Sequence, residues 1–243
     1  MPVKGDLEYF KNMGEAGFHH ATNKPWSDAH CGLYLMELGA MMGLMPRQGK
    51  LLDLGCGTGW TSYYFAKMGY DVVGQDVAPE AIAHAKKMAS ESGMANLSFI
   101  ESDYESLQLN PEFDITVFFD SLHHSLDENL AIQSAFRALK KGGILITSEP
   151  GVGHEKRSQA EIKKWGVTER DMHPGKIIKA GKAAGFTSFK VYPHASFLYI
   201  SLFRQAPSGM LGRIFSIFGM RSLAAMFTIL FYKHFSGIVV LRK

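Results

Sequence analysis

The stretch Leu51-Leu52-Asp53-Leu54-Gly55-Cys56-Gly57-Thr58-Gly59 decides how the rest of the chain is read. A short apolar run enters three glycines, and a helical pattern over Thr58–Met68 follows. Glycines carry no Cβ, so such a strand-to-helix turn brings backbone N–H groups close to a bound group. The spacing is GxGxG, and Trp60 stands where a dinucleotide-binding turn carries its third glycine. That large side chain counts against a nicotinamide-dependent oxidoreductase, the alternative enzyme class.

On either side the chain alternates apolar runs with helical patterns, as a parallel α/β sheet does. Strands are expected at Lys50–Leu54, Asp71–Gln75, Leu97–Ile100, Ile115–Phe119, Gly143–Ser148, Phe186–Tyr192 and Ser236–Arg242. Pro79 opens a helix stopped by Gly93, and Pro174–Ala184 is ended by Gly185. Asp127 caps a helix through Leu139, closed by Lys140, Lys141 and Gly142. One helix is expected within His154–Asp171 and one over Asp28–Met42.

One domain over residues 1–243 accommodates these elements. It has an N-terminal helical cap (1–45), a core (46–196), an apolar insert (197–235) and a last strand (236–243). The insert, FLYISLF and then MLGRIFSIFGMRSLAAMFTILFY, has no clean polar face and is expected against protein or lipid.

Three carboxylates follow strands at the edge where open α/β sheets bind ligands. Asp76 lies 21 residues after Gly55, placed to accept from two ribose hydroxyls. Asp103 follows the third strand, within reach of a purine amine, and Asp120 ends the fourth, ahead of Ser121-Leu122-His123-His124.

At 46% hydrophobic and 20% charged, the 243 residues exclude a disordered or collagen-like chain. Cys31 and Cys56 are the only cysteines, which excludes a disulfide framework and a CxxC zinc pattern. MPVKGDLEYF has no apolar leader core, so a reducing cytoplasm is expected, with a peripheral seat at the inner membrane face left open. No stretch of about 20 apolar residues is free of charge, so no simple membrane span is expected. Residues 1–171 carry 16 Lys and Arg against 23 Asp and Glu, whereas 172–243 carry ten basic residues and no acid. That split favours an anionic partner, either a phosphate-bearing substrate or a membrane surface; the plain alternative is two halves that neutralise each other.

These residues resemble the class I S-adenosylmethionine-dependent methyltransferases. LLDLGCGTG is similar to their first motif, VVGQDVAPEAI to the second and SFIESDY to the third. FDITVFFDSLHHSLD and ALKKGGILITSEP are similar to the fourth and fifth. The resemblance implies a Rossmann-like, seven-stranded, mostly parallel sheet of order 3-2-1-4-5-7-6, with helices on both faces and strand 7 antiparallel. It also implies S-adenosyl-L-methionine over the glycine turn. Gly55, Gly57 and Gly59 would then approach the methionine part and ribose, with Asp53, Cys56 and Thr58 of the same stretch counted among the cofactor residues. Asp76 would hold the ribose hydroxyls, Val77 the adenine face, Asp103 and Tyr104 the adenine edge, and Asp120 and Ser121 the floor near the methionine amine. Gln75 departs from the pattern, since an apolar residue commonly precedes the acid.

The function expected is methyl transfer to a small-molecule or glycan acceptor at a hydroxyl oxygen, with a His as general base. His123, His124 and His154 are the candidates, ahead of His19, His20, Asp171 and His173. The bland reading of His123 and His124 is that one packs against or caps the next helix. No His, Cys or Asp group has metal-ligand spacing, so a metal-independent reaction is expected. The Asn/Asp-Pro-Pro-aromatic signature of nucleic-acid methylation is missing after the fourth strand, so no nucleic-acid partner is expected. The insert is expected as lid, homodimer surface or contact with an anionic membrane. A non-catalytic cofactor-binding protein is the other alternative.

Overall fold

In a computed structural model, residues 4–203 and 218–243 are described. Seven strands form one sheet: β1 (Lys50–Leu54), β2 (Asp71–Asp76), β3 (Leu97–Glu101), β4 (Phe113–Phe119), β5 (Leu139–Ser148), β6 (Ser188–Tyr192) and β7 (Ile238–Arg242). Their order is β3-β2-β1-β4-β5-β7-β6. The first five are parallel, and β7 runs antiparallel between β5 and β6.

Alternate residues of each strand feed opposite faces, which is why the central strands are apolar throughout. Leu51, Val72, Ile115, Val117 and Ile146 pack on one face with Phe65 of α5 (Trp60–Lys67) and Ile82 of α6 (Pro79–Ser92). Leu52, Leu54, Phe118 and Leu145 pack on the other, with Ile132 of α7 (Glu128–Ala138) and Ile177 of α10 (Pro174–Ala184). Each such side chain, fully buried, contributes about 1.5–3 kcal/mol. The parallel strands thereby end together, with Gly55, Asp76, Ser102, Asp120 and Glu149 just at or beyond their carboxyl ends.

The cap consists of α1 (Lys4–Leu7), α2 (Tyr9–Asn12), α3 (Gly14–Thr22) and α4 (Cys31–Leu44). Asp28 does not begin the last of these; its carboxylate accepts the His30 N–H in a preceding turn (2.7 Å). At the other end of the chain, α11 (Ala195–Phe203) and α12 (Phe218–Phe235) are the described helices between β6 and β7. Arg204 and Arg213, and with them residues 204–217 of the expected insert, lie outside the described residues.

Three local expectations need correction. Helix α7 stops at Ala138 and Leu139–Gly142 is already strand, because Leu139 pairs with Phe113 before an irregularity in the ladder. The Lys-Lys-Gly run that reads as a helix end is a bend of that strand, taken at Gly142 (φ 82°). The expected single helix after His154 is two, α8 (His154–Arg157) and α9 (Gln159–Trp165), the second ended by left-handed Gly166 (φ 67°). Helix α5 begins at Trp60 and not Thr58, because Gly59 sits in the left-handed region (φ 89°) and serves as its N-cap.

Candidate active site

A cavity of about 270 Å³ opens at the carboxyl edge of the sheet, between the glycine turn and the cap. Gly55, Cys56, Gly57, Thr58, Asp76, Val77, Asp103, Tyr104, Asp120 and Ser121 all line it, and so does His124. Asp53 and Gly59, counted with them from sequence, lie behind its wall. Asp53 is 1% exposed and accepts the Thr61 and Ser62 hydroxyls (2.6 Å each), so it ties the start of α5 to β1. Burial, only partly offset by those two bonds, raises its pKa to about 6.

The three glycines do different work. A Cβ on Gly55 would fall 2.6 Å from Ser121 Cβ, and one on Gly59 2.8 Å from Phe99 Cζ, so both are small to let protein pack. Only at Gly57 is the space open, with Phe10 of the cap 3.7 Å away. The Gly57 N–H donates to Asp76 Oδ2 (2.8 Å), and the Ala78 N–H donates to Oδ1 (2.9 Å). Each carboxylate oxygen keeps a further acceptor site, which is what a ribose diol requires. Burial raises the Asp76 pKa, and the backbone donors oppose that shift. Gln75, the departure from pattern, is fully buried and bridges the Gly55 N–H (3.4 Å) to the Ser102 carbonyl. Thr58 faces the cavity, but its hydroxyl donates to the Ala21 carbonyl (2.7 Å) and fastens the cap to the turn.

The floor is set by β4 and β5. Asp120 has φ 53°, the one positive-φ non-glycine among the described residues, and its side chain is exposed. Such a conformation costs about 1–3 kcal/mol and persists where the surroundings impose it. Here the Asp120 N–H is drawn to the Ser148 carbonyl (2.9 Å). Ser121 donates to the Leu54 carbonyl (2.7 Å), and Tyr104 donates to the Ser121 carbonyl (3.2 Å). Asp103 is engaged with its own loop, accepting the Glu105 N–H (2.9 Å) and the Ser106 hydroxyl (3.1 Å). Tyr34, Trp60 and Phe119 make an aromatic wall, with Trp60 edge-on to Phe119 at 5.5 Å. The Tyr34 hydroxyl is held protonated, first by burial and then by the nearby Asp120 and Asp28 charges.

The three candidate histidines gather around two acids that the sequence reading passed over. Glu149, 2% exposed, accepts the Leu122 N–H (2.9 Å) and the N–H of the His123 ring at Nδ1 (2.8 Å). Burial pulls the His123 pKa down, but Glu149 outweighs it, followed by Asp120 and Glu169, and the result is about 9. Glu169 meets His154 Nε2 at 2.6 Å and His123 Nε2 at 3.4 Å. His124 Nδ1 donates to the Thr168 carbonyl (2.7 Å), which leaves Nε2 as an acceptor. Its pKa is lowered, by burial and then by the charge on His123. His154 does not line the cavity; Glu169 and its own short helix hold it.

His123, His124 and Glu169 also bring three potential ligand atoms within 4.8 Å of one another, which their spacing along the chain does not reveal. Hydrogen bonds to Glu149, Thr168 and His154 already engage the three. Asp6 of α1 completes the enclosure by accepting the Thr168 N–H and hydroxyl, both at 3.0 Å.

A methyltransferase-domain family model matches residues 47–192. The ubiquinone biosynthesis O-methyltransferase of Cereibacter sphaeroides is 35% identical over 106 residues, 43% of this chain and 42% of that protein. The 2-heptyl-1-hydroxyquinolin-4(1H)-one methyltransferase of Mycobacteroides abscessus is 34% identical over 139 residues, 55% of this chain and 59% of that one. The chain thus spans about half the length of these relatives. Among solved structures, phosphoethanolamine N-methyltransferase 2 of Haemonchus contortus with S-adenosyl-L-methionine superposes with a TM-score of 0.68 at 18% identity. That alignment covers 99% of this chain and 59% of the other.

Proposed function

The chain belongs to the class I S-adenosylmethionine-dependent methyltransferases, and from that premise we propose that it methylates a hydroxyl oxygen of a small, partly aromatic acceptor, with His124 as general base. The observation that carries this reading is His124 itself: it faces the cavity with Nδ1 committed to Thr168 and Nε2 free to accept. The residues at the turn fit the cofactor, since Gly57 leaves an open approach beside an Asp76 carboxylate with unused acceptor sites. When bound, S-adenosylmethionine supplies a methyl group on a positive sulfur, already electrophilic.

The protein's part is alignment and proton removal. Holding the acceptor oxygen in line with the methyl group is worth about 7–11 kcal/mol of barrier. As that oxygen bonds carbon, its proton passes to His124 Nε2, a step worth roughly 10²–10⁴-fold. Burial, and after it the charge that Glu149 stabilises on His123, holds the His124 pKa below its ordinary value. Glu169 approaches His124 Nδ1 at 3.9 Å, His154 holds Glu169, and neither lines the cavity, so both are positioning residues in this scheme.

The acceptor class follows from the wall. Tyr34, Trp60 and Phe119 offer flat apolar area suited to an aromatic ring, and two relatives are named for a ubiquinone-pathway O-methylation and a hydroxyquinolone. A glycan needs a denser set of polar partners than this wall provides. A phosphate-bearing acceptor draws no support from the basic C-terminal stretch: among the described residues, no Lys or Arg after Asp171 lines the cavity. The test is transfer of labelled methyl from S-adenosylmethionine to parallel panels of phenols, hydroxyquinolones and sugars. Transfer confined to sugars overturns the acceptor class, and full turnover by His124→Ala overturns the base.

A further inference from the structure

The basic excess of the C-terminal stretch and its apolar character belong to elements that pack together. Leu223, Met226, Phe227, Leu230, Phe231 and Phe235 of α12 recur three and four residues apart, so they share one side of the helix. All six are solvent-exposed, Phe227 at 61%, and the Phe227 and Phe231 rings lie 4.4 Å apart. Soluble proteins scatter large apolar residues singly; a contiguous stripe of aromatic and aliphatic side chains marks a surface that something covers.

The charges around the stripe say what covers it. Helix α12 packs on α10, α11 and β6, and none of these elements, nor α12 or β7, contains an Asp or Glu. They do carry exposed Lys179 and Lys182 on α10, Lys190 on β6 and Lys233 on α12 itself. A second copy of this surface would bring like charges together. An apolar stripe on a helix whose packed neighbours carry lysines and no acid complements an anionic lipid bilayer, where acyl chains take the aromatics and headgroups take the lysines.

We propose that α12 is a membrane-surface helix that seats the protein on anionic lipid. It lies on the bilayer and does not cross it: no helix among the described residues is long and apolar enough to span a membrane. The stripe also reaches the chemistry. The Val152 N–H donates to the Phe235 carbonyl (2.9 Å), and Val152, 45% exposed, stands two residues before His154. A bilayer under Phe235 and Val152 therefore lies beside the loop that carries the His154–Glu169 pair. This inference stands apart from the acceptor and the base, since it concerns only where the protein rests.

The experiment is flotation of the full chain with phosphatidylcholine vesicles, with and without about one-third phosphatidylglycerol. We expect anionic vesicles to capture at least about tenfold more protein than neutral ones at low ionic strength, and most of that gain to vanish in about 0.5 M salt. Phe227→Glu with Phe231→Glu should lower capture about tenfold while leaving S-adenosylmethionine affinity by calorimetry unchanged, which shows the variant folded. Equal capture by neutral and anionic vesicles, or full capture of the double variant, overturns the proposal. So does a wild-type dimer by light scattering that the double variant converts to monomer, since a second copy then covers the stripe. Loss of methyl transfer with vesicle capture intact would fault the catalytic reading alone.

Discussion

Two chains of acid and histidine run through the described residues, and one of them adjoins the cavity at the sheet edge. In the first, Glu149, His123, Glu169 and His154 follow one another beside His124, which faces the cavity. In the second, Glu37 Oε1 lies 2.5 Å from His194 Nδ1, and His194 Nε2 lies 2.7 Å from the Ser236 hydroxyl. Acid, histidine and serine in that order are the parts of a nucleophilic triad. Yet all three are about 5% exposed, and the Ser236 hydroxyl is engaged with the Glu149 carbonyl (3.0 Å). The second chain is a buried strut that pins α4 to the segment after β6 and to the start of β7. Access to a ligand, more than the hydrogen-bond pattern, separates a catalytic arrangement from a structural one.

The sharpest way to test the first region is at its cofactor end. Asp76→Ala should weaken S-adenosylmethionine binding by at least about 100-fold by calorimetry, since two hydrogen bonds to a charged acceptor disappear. Unchanged affinity would remove the carboxylate from the site. Next, His124→Ala should lower kcat by roughly 10²–10⁴-fold with cofactor affinity unaltered. The matching substitution in the strut, His194→Ala, should leave kcat of the folded protein intact but cost about 3 kcal/mol, or roughly 6–12 °C in Tm, by stranding Glu37. A large kcat loss in that variant, with stability preserved, would make the strut part of the chemistry and collapse the distinction.

Smaller effects refine it. A base works when deprotonated, and the His124 pKa lies below its ordinary 6.5, so the rising limb of kcat/KM should fall on the acid side of that value. A midpoint well above it would point to another base. The smallest expected effect is that of a chelator: EDTA should leave turnover unchanged, because His123, His124 and Glu169 already have hydrogen-bond partners. Activity lost to EDTA and restored by a divalent ion would make those three residues ligands.

Much of the sheet was legible because its central strands are apolar on both faces and β1, β2 and β4 run into Gly55, Asp76 and Asp120, which fixes where the ligand edge lies. The Gly-rich turn could be located from sequence, but not the separate work of each glycine. Gly55 and Gly59 are small because Ser121 and Phe99 press against them, and those neighbours are distant in sequence. Glu149 and Glu169 were missed for the same reason: each follows or flanks a loop with no periodicity, and only the fold brings them to the histidines. The Lys-Lys-Gly sequence at 140–142 misled because helix ends and strand bends use the same residues. The aromatic α12 was legible as an apolar run without a polar face, but its exposure depends on which neighbours β6 and α10 supply.

Thr168 deserves a last consequence. Its backbone N–H and hydroxyl hold Asp6 of the cap, while its carbonyl holds the His124 ring. One residue thus anchors the cap and orients the candidate base. The cover over the cavity and the orientation of the imidazole therefore rest on the same short stretch of backbone, and a change that loosens one loosens the other.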